Sequence, residues 1–479
     1  MPLPSFVLFF EIERIIMAFA NRKLIKEKSF FTGLLAITLP IALQQLIVFG
    51  VSMADTVMLG QLGDAQLSAS AQANQPQFIF QLLIYGISGG GTVLASQYWG
   101  KKDMDTIRKI VALVLKVAIV ASLILILLVQ FFPEQIMKLY IKSETETDKY
   151  VISEAVSYLK IVSLGYIFFG LTTSVQNVVR SVEIVKISVV TSSVSFVVNV
   201  FLNWIFIFGK FGIEPMGIRG AALATVIARI TDFTITAIYA FAIDKRLKFR
   251  LKYFFMGSKE LSKSFLKYSF PVIANEFMWG AGISVQSAVM GQLDSEILAA
   301  NSISSVFYQL ITIITFGVAN AAAVTVGKFI GGGDMKKAKD ASFTIMLMAI
   351  CLGLISGLTM FLLRKAFVSV YNVTDDVRVL AENLIAITSV VAFFAAISTV
   401  SVVGVLRGAG DTRFTFKLEL ITLWCFAVPM GAIAGFVLDA PILLVCALLK
   451  IDEPIKSVVA FIRTFKDSTY KNVTEKAEL

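Results

Sequence analysis

The sequence predicts an all-α integral membrane protein with about twelve transmembrane helices in two pseudo-symmetric six-helix lobes, and three observations predict it. Of the 479 residues, 57% are hydrophobic and only 16% charged, which leaves more apolar surface than one soluble core of this length can hide. Apolar runs of about 20 residues recur along the chain, each long enough to cross roughly 30 Å of hydrocarbon as a helix. The second half is also a weakened copy of the first. At an offset of 231 residues, Pro40 meets Pro271, Gly60-Gln61-Leu62 meets Gly291-Gln292-Leu293, Gly86 meets Gly317, Gly100 meets Gly331, and Asp103-Met104 meets Asp334-Met335. Glycines, prolines and loop residues dictate backbone shape, so matches at these positions imply a shared fold.

In chain order, residues 1–30 form an N-terminal segment. Within it, 1–16 read as an over-called start or an extension, because Glu11, Glu13 and Arg14 follow the apolar run at 5–10 too soon for a span and Met17 begins a more usual start. The first lobe covers 31–243, with spans at 31–56, 70–97, 107–132, 153–178, 184–208 and 219–243. A basic linker, 244–264, carries Lys245, Arg246, Lys248, Arg250 and Lys252. The second lobe covers 265–463, with spans at 265–290, 298–326, 341–363, 380–406, 413–437 and 440–463, and 464–479 is a tail. The twelfth span is interrupted by Lys450, Asp452, Glu453, Pro454 and Lys456. Either it bends out into the interface or its polar stretch faces the bundle interior. Six helices per half make the two repeats parallel, related by an axis along the membrane normal.

Charge sets the expected orientation. Placing both termini and the even-numbered loops on one side gathers most of the 43 Lys and Arg there, while the loops at 57–66 and 291–297 have none. By the positive-inside rule both termini are cytoplasmic and the protein sits in the cytoplasmic (inner) membrane. The net charge of +10 is then orientation bias and implies no nucleic-acid partner; the lipid bilayer is the partner. All three cysteines (Cys351, Cys425, Cys446) fall in expected spans, so no disulfide framework is implied. The sequence has no histidine, which removes imidazole proton relays, His-based metal sites and Ser-His-Asp chemistry.

Ionisable residues inside spans are costly and therefore candidates for function. Asp55 ends the first span and Glu276 lies early in the seventh. In the repeat register Gln45 aligns with Glu276 and Asp55 with Gln286, so each half keeps one acid and one amide at two equivalent depths. A buried carboxyl can take up a proton near neutrality. Sodium would need several oxygens, which Gln45, Asn275, Gln286 and carbonyls freed near Pro40 or Pro271 could supply. The alternatives are an interfacial helix-end carboxylate for Asp55 and a hydrogen-bonded structural carboxylate for Glu276. Gln176, Asn177, Asn199 and Asn203 form a second polar set, either a pocket beside Asp55 or ordinary interhelical bonding; Asn199 and Asn203 share a helix face. Arg229 and Asp232, three apart, are expected to pair with each other. Among the aromatics, Tyr85, Phe169, Trp279 and Tyr308 are candidates to line a cleft for flat, lipophilic cations, against the alternative of simple packing.

The stretch Met53-Ala54-Asp55-Thr56-Val57-Met58-Leu59-Gly60, with Leu62-Gly63 and Leu67-Ser68-Ala69, resembles the multidrug and toxic compound extrusion (MATE) family. So do Gln97-Tyr98-Trp99-Gly100, Gly291-Gln292-Leu293, Leu298-Ala299-Ala300-Asn301, and Gly404 through Asp411. The resemblance covers roughly residues 30–463 and implies a pair of six-helix lobes exporting organic cations, driven by inward proton or sodium flow. It implies that Asp55 is a cation-coupling residue and that Glu276 is similar to a second-lobe acid of the family. Asn203 stands where the proton-driven branch often has a second Asp, which shifts the expectation to Asp55 working with Glu276. The expected function is thus a cation-coupled antiporter: no enzyme, no cofactor, no metal beyond a Na+ at Asp55 or Glu276, H+ or Na+ as coupling ion, small organic cations as substrates, and a monomer. The alternatives are a lipid-linked oligosaccharide flippase of related fold, which would need a cationic cleft, or a major-facilitator-type carrier. A membrane-embedded transferase would need a base or metal cluster that the sequence does not offer.

Overall fold

The computed structural model describes residues 22–141 and 145–475; the expected over-called start at 1–16 lies outside them. Every regular element among the described residues is helical. Among the described residues, nine helices are long and apolar enough to cross a membrane, and a bent pair, Glu146–Ser163 with Tyr166–Ser181, makes a tenth. That pair occupies the expected fourth span, which therefore is not one straight helix: it bends by 48° at Leu164-Gly165. A Cβ on Gly165 would stand 2.9 Å from Cδ of Arg229 and 3.1 Å from the Val162 carbonyl oxygen, so the bend brings the backbone against the Arg229 side chain. The expected seventh span is the 35-residue helix Lys259–Leu293, which runs on through Pro271. Likewise Lys28–Gly60 runs on through Pro40.

The twelfth span is divided into two short helices, Ile442–Leu449 and Asp452–Thr464. The second buries Asp452, Lys456, Ser457, Ala460 and Thr464, a spacing that collects them on one helical face. Of the two alternatives, the polar stretch takes the interior one, and this face packs on the helix Asp375–Thr399.

Large apolar side chains are turned outward on the long helices, as lipid contact requires. Leu123, Ile124, Leu127, Leu128 and Phe131 are exposed on Met104–Phe131, and Leu354, Ile355, Leu358 and Leu362 on Met335–Val368. Exposed apolar patches of this extent favour a hydrocarbon surround. The chain is a multi-pass membrane protein.

By contact the chain divides into two compact units. Among the described residues, one comprises 22–42, 93–103 and 270–475, and the other 43–92, 104–141 and 145–269. Inside the first unit the copied glycines have a reciprocal use. A Cβ on Gly100 would overlap the carbonyl oxygen of Lys328, and a Cβ on Gly331 would overlap that of Gln97. In the repeat register Gly100 corresponds to Gly331 and Gln97 to Lys328, so each repeat's glycine seats the other's carbonyl. Ser96 and Gly327, which also correspond, face each other at the centre of this crossing.

Residues 465–475, expected to be part of a tail, are packed into the same unit. Gln97 Nε2 donates to the carbonyls of Gly408 and Lys471, both at 3.1 Å, and its Oε1 accepts from Val473 N at 2.8 Å. Asp411 accepts from Arg463 at 2.9 Å and from Lys471 at 2.5 Å. Arg22 and Lys339 both pair with Asp467.

Candidate cation-coupling site

In the second unit, the helices Lys28–Gly60 and Lys186–Phe208 bring Asp55 to the Asn199/Asn203 pair. Asn203 Nδ2 donates to Asp55 Oδ1 at 2.5 Å and to Asn199 Oδ1 at 3.2 Å. The i, i+4 spacing puts both amides on one face, and both are buried. Oδ1 of Asn203 is buried without a partner. A hydrogen bond to an ionised group is worth roughly 1.5–3 kcal/mol, so Asp55 in its charged form fixes the Asn203 amide. An unpaired acceptor beside a carboxylate suits a cation: a sodium ion would find two kinds of oxygen there, and a protonated Asp55 would find an acceptor for its new O–H.

Arg229 exerts the electrostatic attraction of a nearby cation on Asp55. Its guanidinium stacks on Tyr166 at 5.8 Å and Phe169 at 5.6 Å, and Nη1 donates to the Val162 carbonyl at 3.4 Å. The expected Arg229–Asp232 pair is therefore not formed. Asp232 instead accepts from Gln176 Nε2 at 3.3 Å.

Gln176 belongs to a separate network. Its Nε2 also reaches Thr191 at 2.9 Å and Thr236 at 3.4 Å, while its Oε1 accepts from Gln44 Nε2 at 3.0 Å. Arg180 in turn donates to Gln44 Oε1 at 3.0 Å. The amide of the first helix that enters this network is thus Gln44, where the sequence pointed to Gln45, which makes no hydrogen bond among the described residues. Asn177 contributes its backbone carbonyl, which accepts from Thr92 at 3.3 Å, and its side chain joins neither cluster.

In the first unit Glu276 is an ion-pair partner. Arg407 Nη2 donates to Glu276 Oε1 at 2.7 Å and to Asn275 Oδ1 at 2.8 Å. Gln286 does not meet Glu276. Its Nε2 donates to the Leu449 carbonyl at 2.5 Å and its Oε1 accepts from Lys450 at 3.2 Å, which satisfies the helix end where the twelfth span breaks.

Of the aromatic candidates, Tyr85 accepts from Gln81 at 2.9 Å. Phe169 stands 6.1 Å from Phe80 as well as under Arg229, and Tyr308 packs on the core around Phe307, Met360, Leu384 and Leu449. Both therefore pack inside their own units. Trp279 is half-buried.

Sequence reasoning missed Gln44, Arg180 and Arg407. Cations in apolar spans are a signal in themselves, and Arg407 lies within the quoted Gly404–Asp411 stretch. The repeat register carried a further hint. Gln44 corresponds to Asn275, and each takes a hydrogen bond from an arginine at the end of its half's fourth span, Arg180 or Arg407.

The family model described as MatE matches residues 40–205 and 271–433. A probable multidrug resistance protein NorM of Thermotoga maritima is 24% identical over 399 residues, covering 83% of this chain and 84% of that protein. The multidrug resistance protein MdtK of Yersinia pseudotuberculosis is 25% identical over 407 residues, covering 84% and 87%. Among solved structures, a variant of the Vibrio cholerae MATE transporter VcmN superposes with a TM-score of 0.83 at 16% identity, covering 93% of this chain and 98% of that one. The eukaryotic MATE transporter AtDTX14 does so with 0.81 at 18% identity, covering 94% and 98%.

Proposed function

Because this chain belongs to the MatE family, we propose that it is a cation-coupled antiporter that exports lipophilic organic cations across the cytoplasmic membrane, with Asp55 as the residue that takes up the coupling ion. The relatives named as multidrug resistance proteins support the drug-export reading, and the family match sets aside the major-facilitator alternative. The observation that carries the assignment is the Asp55–Asn203 hydrogen bond beside a buried, unpaired acceptor oxygen.

The chemistry follows from those atoms. Charged Asp55 holds Asn203 through Nδ2. Arrival of a proton or sodium ion cancels that charge, frees Nδ2, and gives Oδ1 of the same amide something to bind. The helices carrying Asp55 and Asn203 then pack under different constraints. Transport needs the ion to bind two global states unequally, since equal affinity shifts nothing. Glu276 differs from Asp55 because Arg407 already neutralises it, so its part is to fix the helix Lys259–Leu293 against Arg407. For the substrate, Tyr85 and Trp279 offer aromatic faces that attract organic cations. The protein works as a monomer with both termini cytoplasmic.

Everted membrane vesicles loaded with a fluorescent organic cation, under an imposed sodium or proton gradient, test this reading. One of the two gradients should drive the cation across the vesicle membrane, and indifference to both would refute the coupling.

A further inference from the structure

The segment joining the sixth and seventh spans has two faces of opposite chemistry. Leu247, Phe249 and Tyr253 are buried, at 1%, 3% and 7% exposure, while Lys245, Arg246, Lys248, Arg250 and Lys252 are exposed. Inward Leu247 and Phe249 alternate with outward Lys248 and Arg250, the pattern of an extended chain lying along a surface. One helical turn, Lys252–Phe255, follows. Leu251 and Phe255 around it are exposed at 65% and 90%, and Met256 after it at 46%.

The inner face is fastened. Asp244 accepts from the backbone N–H of Arg246 at 3.1 Å, of Leu247 at 2.7 Å and of Lys248 at 3.2 Å. From the helix Met104–Phe131, Arg108 Nε donates to the Leu247 carbonyl at 2.5 Å and its Nη1 to the Tyr253 hydroxyl at 3.3 Å. That hydroxyl donates in turn to Asp105 at 3.2 Å. The Phe249 ring stands 5.7 Å from Phe241, which is 51% exposed near the end of the sixth span, Gly217–Ile243. The segment is thus folded back against the lipid-facing end of that span, with its outer side chains held outward.

The outer face asks for a mixed cover. Leu251 and Phe255 call for hydrocarbon, whereas the five cations call for anions. Asp244 is the one acid between residues 244 and 256, and it already faces backbone N–H groups. A soluble acidic partner supplies anions but no hydrocarbon for a 90% exposed Phe255 next to a membrane span. An anionic bilayer surface supplies both, phosphates at the headgroup level and acyl chains just below them.

We propose that residues 245–256 dock on the anionic phospholipids of the surrounding leaflet, with Leu251 and Phe255 entering the acyl boundary and Lys248, Arg250 and Lys252 holding headgroup phosphates. That this leaflet is the cytoplasmic one rests on the orientation proposed above, whereas the docking itself does not.

The test uses the full-length protein in lipid nanodiscs. In Phe255→Trp, the emission added to that of the four native tryptophans should be quenched by phospholipids brominated on their acyl chains and shielded from acrylamide in the water. Quenching by acrylamide and not by the brominated lipid would overturn the proposal and point to a soluble partner. Headgroup choice is read by native mass spectrometry, as phosphatidylglycerol retained in competition with phosphatidylcholine. Each basic residue near an anionic surface strengthens binding several-fold, so Lys248→Gln/Arg250→Gln/Lys252→Gln should weaken the tightest phosphatidylglycerol binding about tenfold or more. Phosphatidylcholine binding should stay as it was. Lys336→Gln/Lys337→Gln, which removes two cations from the other unit, should leave that tightest binding in place. Equal losses in the two variants, or no loss in the first, would overturn headgroup docking at this segment.

Discussion

Arg407 holds Glu276 at 2.7 Å, with only 10% and 17% of the two side chains exposed. The same guanidinium nitrogen reaches Asn275, whose repeat counterpart Gln44 is held by Arg180. Both halves thus anchor an early-helix amide with an arginine. Only the second half adds a carboxylate, Glu276, where the first has Gln45. Of these two acids, Asp55 in the first half is the one without a direct ion pair among the described residues.

Removing one partner of a buried pair leaves an uncompensated charge. Arg407→Met alone should destabilise the protein by about 3–5 kcal/mol. Arg407→Met together with Glu276→Gln should recover most of that loss, because neither charge is left alone. Thermal unfolding of both variants in detergent reads the difference directly.

The reciprocal glycines make a backbone-to-backbone contact that tolerates no side chain. Gly331→Ala would push a methyl into the Gln97 carbonyl oxygen and should cost about 1–3 kcal/mol. Gly333→Ala provides the comparison: its Cβ would meet open space, though its positive φ of 81° strains any replacement. Gly33→Ala, at a helical position with open space around it, should be neutral or slightly stabilising. Unfolding midpoints should rank Gly331→Ala well below Gly33→Ala.

The packed C-terminal residues have a pH-dependent hold. The hydrogen bond from Lys339 keeps the Asp467 carboxyl below its ordinary 3.8, with further attraction from the Lys339 and Arg22 charges. A carboxyl lowered in the folded state contributes fully above 3.8 and loses its contribution as the pH falls through the folded value. The side chain is 77% exposed, so the effect is small and screened by salt. Hydrogen exchange should show residues 465–475 loosening first in acid, and Asp467→Asn should show the same loosening already at neutral pH.

Much of the architecture was legible because it rests on long apolar runs and on punctuation. The positions of the spans and the copied glycines followed from composition and register. The bend at Gly165 was not legible, since the sequence stays apolar across it and the Arg229 side chain it packs against comes from another helix. The interior course of Asp452–Thr464 was left open because charge alone does not say whether partners wait inside; Glu419, which accepts from Lys456, and Ser398, which donates to Glu453, decide it. The site was legible in depth but not in direction. A repeat alignment fixes how far along a helix a residue lies, whereas one residue's step turns it by about 100°. That is why Gln44 and not Gln45 faces Gln176 and Arg180, and why Gln286 meets Leu449 and Lys450 and not Glu276. The Arg229–Asp232 pairing failed for a related reason, since i, i+3 spacing permits contact but stacking on Tyr166 and Phe169 and the amide of Gln176 offer each residue a different partner.

Asp55, and not the Arg407-bound Glu276, is the residue proposed to read the ion gradient. Gradient-driven export of a fluorescent organic cation, measured in everted vesicles for Asp55→Asn and for the Arg407→Met/Glu276→Gln pair, tests this most directly. Asp55→Asn should abolish gradient dependence, and the double variant should retain it. Export that stays gradient-driven in Asp55→Asn but fails in the folded double variant would contradict the account.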